Sequence, residues 1–491
     1  MFTSSETPII GTILLVVFAI LGWGLYRARP FGKLGILAWL QSVVLMAPWL
    51  LFFGLFAAGI YINIVGVLFL VVASAGLYIA LGKRLRSEGQ ETILRQRATQ
   101  RLAADSLSEA ENATESAVVS DVVPIPEADL SAIRSIFGID TFFATETIAY
   151  QDGAIFKGNL RGKSQEVHSR LTQSLQEKLD NKYRLFLVEN TDGKPVVIVL
   201  PSSNDPRPTT LAQKAFAGIL LIATIAASLE TAGLLLNFDF FDNPARFTEV
   251  LPIGAGIITI LVAHEIGHWI LARRYQVRLS WPFFLPAIQI GSFGAITRFE
   301  SILPSRQVLF DISVAGPAAG GIVSLLMLIV GLLLSHTGSY FQLPNQFFQG
   351  SILVGSLARV VLGSALQAPL VNIHPLVVIG WLGLVITALN LMPAGQLDGG
   401  RIVQAIYGRK TAGRATIATL ILLAIVSLGN SLAMYWAIVI LFLQRDLERP
   451  SLDEITEPDD ARAALGLLVL FLMIATLLPL TPGLAGRLGI G

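Results

Sequence analysis

The segment Ala263-His264-Glu265-Ile266-Gly267-His268-Trp269 sets two imidazoles and a carboxylate inside an apolar stretch. His264 and His268 are four residues apart, so on a helix both rings leave the same face and can share one metal ion. Glu265 stands beside them, where a carboxylate can take a proton from metal-polarised water. This is the chemistry of zinc-dependent hydrolysis, here of a peptide bond. The competing reading is a polar cluster that packs helices together. Two His and a Glu in an apolar span are costly unless they are satisfied or functional, which favours the metal. The chain has 5 His and no Cys, so thiolate ligation and thiol nucleophiles are excluded.

Two His leave a hydrolytic zinc incomplete, because such sites use three protein ligands and one open position. Depth selects the third. His264 lies nine residues, about 13 Å of helix, from Arg273 at the inner end of its span. His168 falls in a polar region, and His336 and His374 fall on the outer side in the charge-based topology below. Asn390-Leu391-Met392-Pro393-Ala394-Gly395-Gln396-Leu397-Asp398-Gly399-Gly400-Arg401 supplies a carboxylate at the right depth in Asp398. Pro393 stops regular helix, and Gly395, Gly399 and Gly400 let backbone approach closely. An ordinary turn or helix-cap aspartate is the alternative for Asp398. Asn390 can bond a substrate main chain or an oxyanion, or simply bond across helices. The segment 291–297 offers an extended edge on which an unwound substrate can pair as an added strand. Gly316 and Gly320 form a small-xxx-small face for close helix packing, and Asp311 beside them can orient a ligand or a neighbour. Glu230 is an intramembrane carboxylate with no evident partner.

The elements that carry these residues follow from composition. Of 491 residues 53% are hydrophobic and 14% charged, and mean hydropathy is +0.66. Soluble domains carry nearer 25% charge, so a soluble globular enzyme and a disordered chain are excluded. A net charge of +1 implies no nucleic-acid partner. The pattern predicts an all-α polytopic membrane protein with a metalloprotease core and a small α+β soluble domain on the inner side. Apolar runs predict spans near 9–25, 34–55 and 60–81, then near 215–236, 250–272, 308–335, 373–394, 413–428, 431–444 and 463–482. The stretches 281–297 and 350–370 are broken by Pro, Gly or charge and read as re-entrant or interfacial. With the amino terminus outside, Lys/Arg clusters at 27–33, 83–86, 273–278, 401–414 and 445–449 all fall inside. Only Arg246, Arg359 and Arg487 fall outside. The resulting organisation is 1–83, an N-terminal membrane region; 84–123, a polar helix or linker; and 124–212, the small α+β domain, with hairpin turns at Asp152-Gly153 and Asp192-Gly193. The catalytic membrane core occupies 213–445, and 446–491 holds a C-terminal span and tail.

HEIGH at 264–268, DISVAGP at 311–317 and the NLMP and LDGG segments within 390–400 occur in the order seen in the site-2 protease family of intramembrane zinc metalloproteases, which this chain resembles from about 213 to 445. The resemblance implies one zinc ion held by His264, His268 and Asp398, with Glu265 as catalytic base and Asn390 helping to position substrate. Pro393-Ala394-Gly395 lacks the second proline of many members but removes no ligand, and no PDZ-type domain is visible. Gly158-Asn159-Leu160-Arg161-Gly162 and Asn243-Pro244-Ala245-Arg246 are similar to the chloroplast and cyanobacterial branch, the "ethylene-dependent gravitropism-deficient and yellow-green" proteins. The absence of a transit-like start points to a cyanobacterial chain in plasma or thylakoid membrane. The family implies regulated intramembrane proteolysis of a single-pass membrane substrate, a membrane-anchored regulator or an anti-sigma factor. The alternatives are a zinc-binding chaperone or assembly factor without peptidase activity, and a zinc transporter.

Overall fold

A computed structural model describes residues 125–490 except 151, 191, 192 and 488, and before them scattered residues and the helix α1 (Gly32–Ala57). The expected spans 9–25 and 60–81 and the linker 84–123 lie wholly or mainly outside the described residues. The chain divides into two compact units, 1–119 with 424–435, and 120–423 with 436–491. In the first, α1 covers the expected 34–55 span and carries Pro48.

The second unit opens with α2 (Glu127–Arg134), β1 (Phe142–Tyr150), β2 (Gly153–Leu160), α3 (Ser164–Leu179), β3 (Tyr183–Glu189) and β4 (Pro195–Pro201). The strands form one antiparallel sheet in the order β1-β2-β4-β3. The Asp152-Gly153 turn joins β1 to β2 as expected; β3 and β4 also pair as a hairpin, while Asp192 of its expected turn lies outside the described residues. Val167, Leu171 and Leu175 recur at four-residue spacing on α3 and bury one stripe against Phe142, Phe156, Leu185, Leu187, Val197 and Val199. Asp129 is bonded by Lys182 and accepts from the Tyr183 hydroxyl at 2.8 Å. Burial and that carboxylate push the Tyr183 phenol up to about 12.

Next come α4 (Leu211–Leu235), α5 (Phe247–Arg274), β5 (Phe283–Ala287), β6 (Gly291–Ile296) and α6 (Arg306–Leu334). After β7 (Phe341–Pro344), α7 (Ile352–Leu362) and β8 (Leu370–Ile373) follow α8 (Pro375–Asn390), α9 (Asp398–Val426), α10 (Ser431–Val439) and α11 (Asp460–Leu477). Among the described residues four helices are long and apolar enough to cross a membrane: α4, α5 with its leading turn, α6 and α11. Shorter apolar helices cover Ile352–Gln367, Pro375–Asn390 and Leu432–Gln444. Their outward faces are apolar, as Phe216, Ile219 and Ile222 on α4 illustrate. Thr210 and Gln213 start α4 with a reciprocal capping box.

Helices α5, α6 and α8 meet through glycine. A Cβ on Gly267 would lie 2.3 Å from the Ala315 carbonyl oxygen of α6, and one on Gly380 would lie 2.4 Å from the Leu328 nitrogen. Small residues replace apolar bulk here because lipid gives helices no hydrophobic reason to associate; close backbone packing must do it. The broken stretch 281–297 folds as the antiparallel hairpin β5–β6, with Phe283 opposite Ile296. The other, 350–370, becomes α7 followed by β8, which pairs with β7. Helix α9 breaks at Gly408 (φ 79°), so the expected 413–428 span is only its second part. A strap at 450–456 ties the sheet to the core. Leu452 N donates to the Leu303 carbonyl at 2.9 Å, while Leu187 N donates to the Leu452 carbonyl at 2.8 Å.

Candidate metal centre

Helix α5 delivers His264 and His268 one turn apart, and α9 delivers Asp398 as its first residue. All three are buried, at 5–7% exposure. His264 Nε2 lies 3.1 Å from His268 Nε2 and 3.1 Å from Asp398 Oδ2, and His268 Nε2 lies 3.4 Å from Asp398 Oδ1. A tetrahedral ion with bonds of about 2.0–2.1 Å sets its ligand atoms about 3.3–3.4 Å apart. The three side chains therefore converge at spacings close to those of such a site, with Asp398 turning one oxygen to each ring. His268 Nδ1 lies 2.8 Å from the Ile312 carbonyl oxygen. That oxygen can only accept, so Nδ1 carries the hydrogen and Nε2 turns a lone pair inward. The donor set fits zinc.

The loop before Asp398 is shaped by close approaches. Gly395 has φ +48°, and a Cβ there would sit on the Gln444 carbonyl. Helix α6 is equally tight behind the rings: a Cβ on Gly316 would lie 2.2 Å from His268 Nε2, and one on Gly320 3.1 Å from His264 Cβ. Both small-residue positions singled out in the sequence thus face His264 and His268.

Glu265 is half-buried, with one carboxylate oxygen within 4.8 Å of a ring nitrogen of each histidine. Its Oε2 accepts from the Thr297 hydroxyl at 2.8 Å. Thr297 directly follows β6, and its carbonyl accepts from Arg401 Nη2 at 2.8 Å. Arg401 is buried, pairs with Glu448 at 2.9 Å and stands three residues after Asp398. Sequence reasoning placed Thr297 only at the end of the expected edge and Arg401 only among the inner cations, and missed their bonds to Glu265 and Glu448. Only the place of Arg401, one turn beyond the expected ligand, offered a signal.

Asn390 ends α8 with both amide hydrogens engaged. Its Nδ2 donates to the Phe293 carbonyl of β6 at 3.0 Å and to the Ile386 carbonyl at 2.9 Å. It therefore holds the hairpin beside the site. Glu230 gains the partners that sequence could not assign, accepting from Phe240 N at 2.9 Å and Phe241 N at 3.3 Å. Asp311 receives Arg462 through two bonds, of 2.7 and 2.8 Å, and the Tyr275 hydroxyl at 2.5 Å. It locks α6 in place, while the next residue, Ile312, orients His268.

An HExxH helix with a converging aspartate defines a class, the zinc metalloproteases. Comparison with known proteins narrows it. The profile of peptidase family M50 matches residues 253–429, and that of the EGY3 middle domain matches 131–206. The chain is 38% identical over 406 residues to "Probable zinc metalloprotease EGY1, chloroplastic" of Arabidopsis thaliana, covering 75% of this chain and 74% of that protein. It is 38% identical over 369 residues to "Probable zinc metalloprotease EGY2, chloroplastic" of the same plant, covering 74% and 66%. Identity to "Probable zinc metallopeptidase EGY3, chloroplastic" is 33% over 381 residues, covering 72% and 66%. No solved structure matches. The chain belongs to the M50, or site-2 protease, family of zinc metalloproteases.

Proposed function

We propose that this metalloprotease cuts a transmembrane segment of a single-pass membrane protein, such as an anchored regulator or anti-sigma factor, and releases its inner portion. The observation that carries the reading is the buried cluster of His264, His268 and Asp398, with both histidines on α5, a helix long and apolar enough to cross a membrane, and Glu265 beside them. His264, His268 and Asp398 would hold a zinc ion, which would polarise the scissile carbonyl and make a water more acidic. Glu265 takes that water's proton and returns it to the leaving amide nitrogen. The Thr297 hydroxyl holds Oε2, which leaves Oε1 to move the proton. Asn390 holds β6, and the unwound substrate main chain is laid along this strand. Proline at Ala295 should abolish cleavage and leave zinc content intact; undiminished cleavage would remove β6 from the mechanism.

The reading includes a polytopic topology with Lys and Arg clusters on the inner side, and the 124–212 body and the site toward that side. The membrane is plasma or thylakoid, in line with relatives named chloroplastic. The deciding experiment compares membrane proteomes of cells carrying the native protein and Glu265→Gln. One or a few single-span proteins should accumulate uncut in the variant. No change under several growth conditions would shift the reading to a zinc-dependent assembly factor.

A further inference from the structure

One face of the β1–β4 sheet packs on α3. The other face of a two-layer antiparallel sheet normally alternates to polar residues. Here it presents Phe186 and Val188 on β3 and Ile198 and Leu200 on β4, all partly buried. These side chains wall a cavity of about 860 Å³. Ligand sites typically measure roughly 300–1,000 Å³. Another wall is the chain at 298–303, which continues from β6 through Thr297.

Four arginines, Arg184, Arg207, Arg298 and Arg449, face three carboxylates, Asp205, Glu300 and Glu448, in the lining of this cavity. Asp205 pairs with Arg184 at 2.9 Å, Glu300 accepts from Thr209 N at 2.7 Å, and Glu448 pairs with Arg401. Arg207, Arg298 and Arg449 also line it, and no guanidinium of the three is paired with a carboxylate among the described residues; that of Arg298 lies over the Phe283 ring and that of Arg449 reaches the Asn204 carbonyl.

We propose that this cavity binds the inner-side segment of the substrate, an extended polypeptide with apolar residues toward the sheet and acidic residues toward the three arginines. The proposal rests on the intramembrane-protease reading, since a chain laid on β6 runs past Thr297 straight to Arg298. It gives the small α+β body a task, recognition of what lies just inside the membrane. The apolar strand face favours a polypeptide over a lipid phosphate, which would need the arginines alone.

The test uses full-length Glu265→Gln protein in detergent and reads fluorescence anisotropy of labelled twelve-residue peptides. One peptide alternates Glu with Val; its counterpart alternates Lys with Val. The acidic peptide should bind saturably and at least tenfold more tightly. Arg298→Glu with Arg449→Glu should reverse that preference, and binding of the Lys peptide then shows that the variant is folded. Phe186→Asn should weaken the acidic peptide about tenfold. Equal binding of both peptides, or acidic binding untouched by the charge reversal, would overturn the proposal. So would binding that ignores Phe186→Asn and is displaced by phosphatidylglycerol micelles, which would mark a lipid-headgroup site. The assay needs no turnover, so the two readings separate. Selective binding in cells whose membrane proteins all stay uncut supports the cavity and defeats the protease reading alone; cleavage without peptide preference does the reverse.

Discussion

Glu265 has two oxygens and one structural bond. The Thr297 hydroxyl fixes Oε2, so the carboxylate cannot swing freely on its side chain. Bonds to charged groups contribute about 1.5–3 kcal/mol, which corresponds to roughly 10–100-fold in rate if the bond is needed in the transition state. Thr297→Val should therefore lower kcat by about that factor with zinc content unchanged, and Thr297→Ser should restore most of it. A purely structural threonine would show the opposite pattern, with both variants losing zinc and expression together. Glu265→Gln should cost about 10²–10⁴-fold in turnover while zinc stays bound. The legibility of these residues differs for physical reasons. His264, Glu265 and His268 are readable because helical spacing alone brings them together. Asp398 was expected from matching depth in the membrane, and the structure places it against both rings. The bond from Thr297 to Glu265 was not legible, because only the placement of a hairpin brings that hydroxyl to a helix 32 residues earlier.

At the scale of elements, α6 acts as the back wall of the metal site. Gly316→Ala would drive a methyl into the His268 ring, so either the ring turns or the helix retreats. Adding a methylene to a packed site costs about 1–3 kcal/mol. Zinc affinity, read by competition with a chelator, should fall roughly 10–100-fold, the loss typical when a ligand's orientation is disturbed. Helix α8 shows why the broken segments were legible as breaks and no further. Its 16 residues rise about 24 Å, short of a ~30 Å hydrocarbon core. The chain then leaves helical geometry at membrane depth, which is allowed only where protein covers it, and Leu391, Ala394 and Leu397 are buried. Proline and glycine announce such an interruption. They do not say whether a loop, a short helix or a hairpin follows, and 281–297 became strands because Asn390 and Ser292 take up its main-chain groups.

Over the whole molecule, the small sheet and the core share the strap at 450–456, and His168 reports on that junction. Burial pushes its imidazole below the usual value, partly opposed by the Leu185 carbonyl and the Asp453 carboxylate. A depressed folded value means that the unfolded chain binds the extra proton. The contribution to stability is thus complete above about pH 6.5 and drains away as pH falls below it. Hydrogen exchange corrected for intrinsic rates should show α3 and β3 opening more readily at pH 5 than at pH 7, and His168→Gln should flatten that dependence. The strap also has a consequence in time. Leu187 and its partner Leu452 bracket nearly the whole catalytic core in the order of synthesis. At typical elongation rates the sheet edge waits on the order of tens of seconds for its closing strand. Asp398 emerges late in the same interval, so a ribosome-bound chain holds a half-built site. Asp398 and the strap thus reach the two histidines and the sheet in the same late stretch of synthesis.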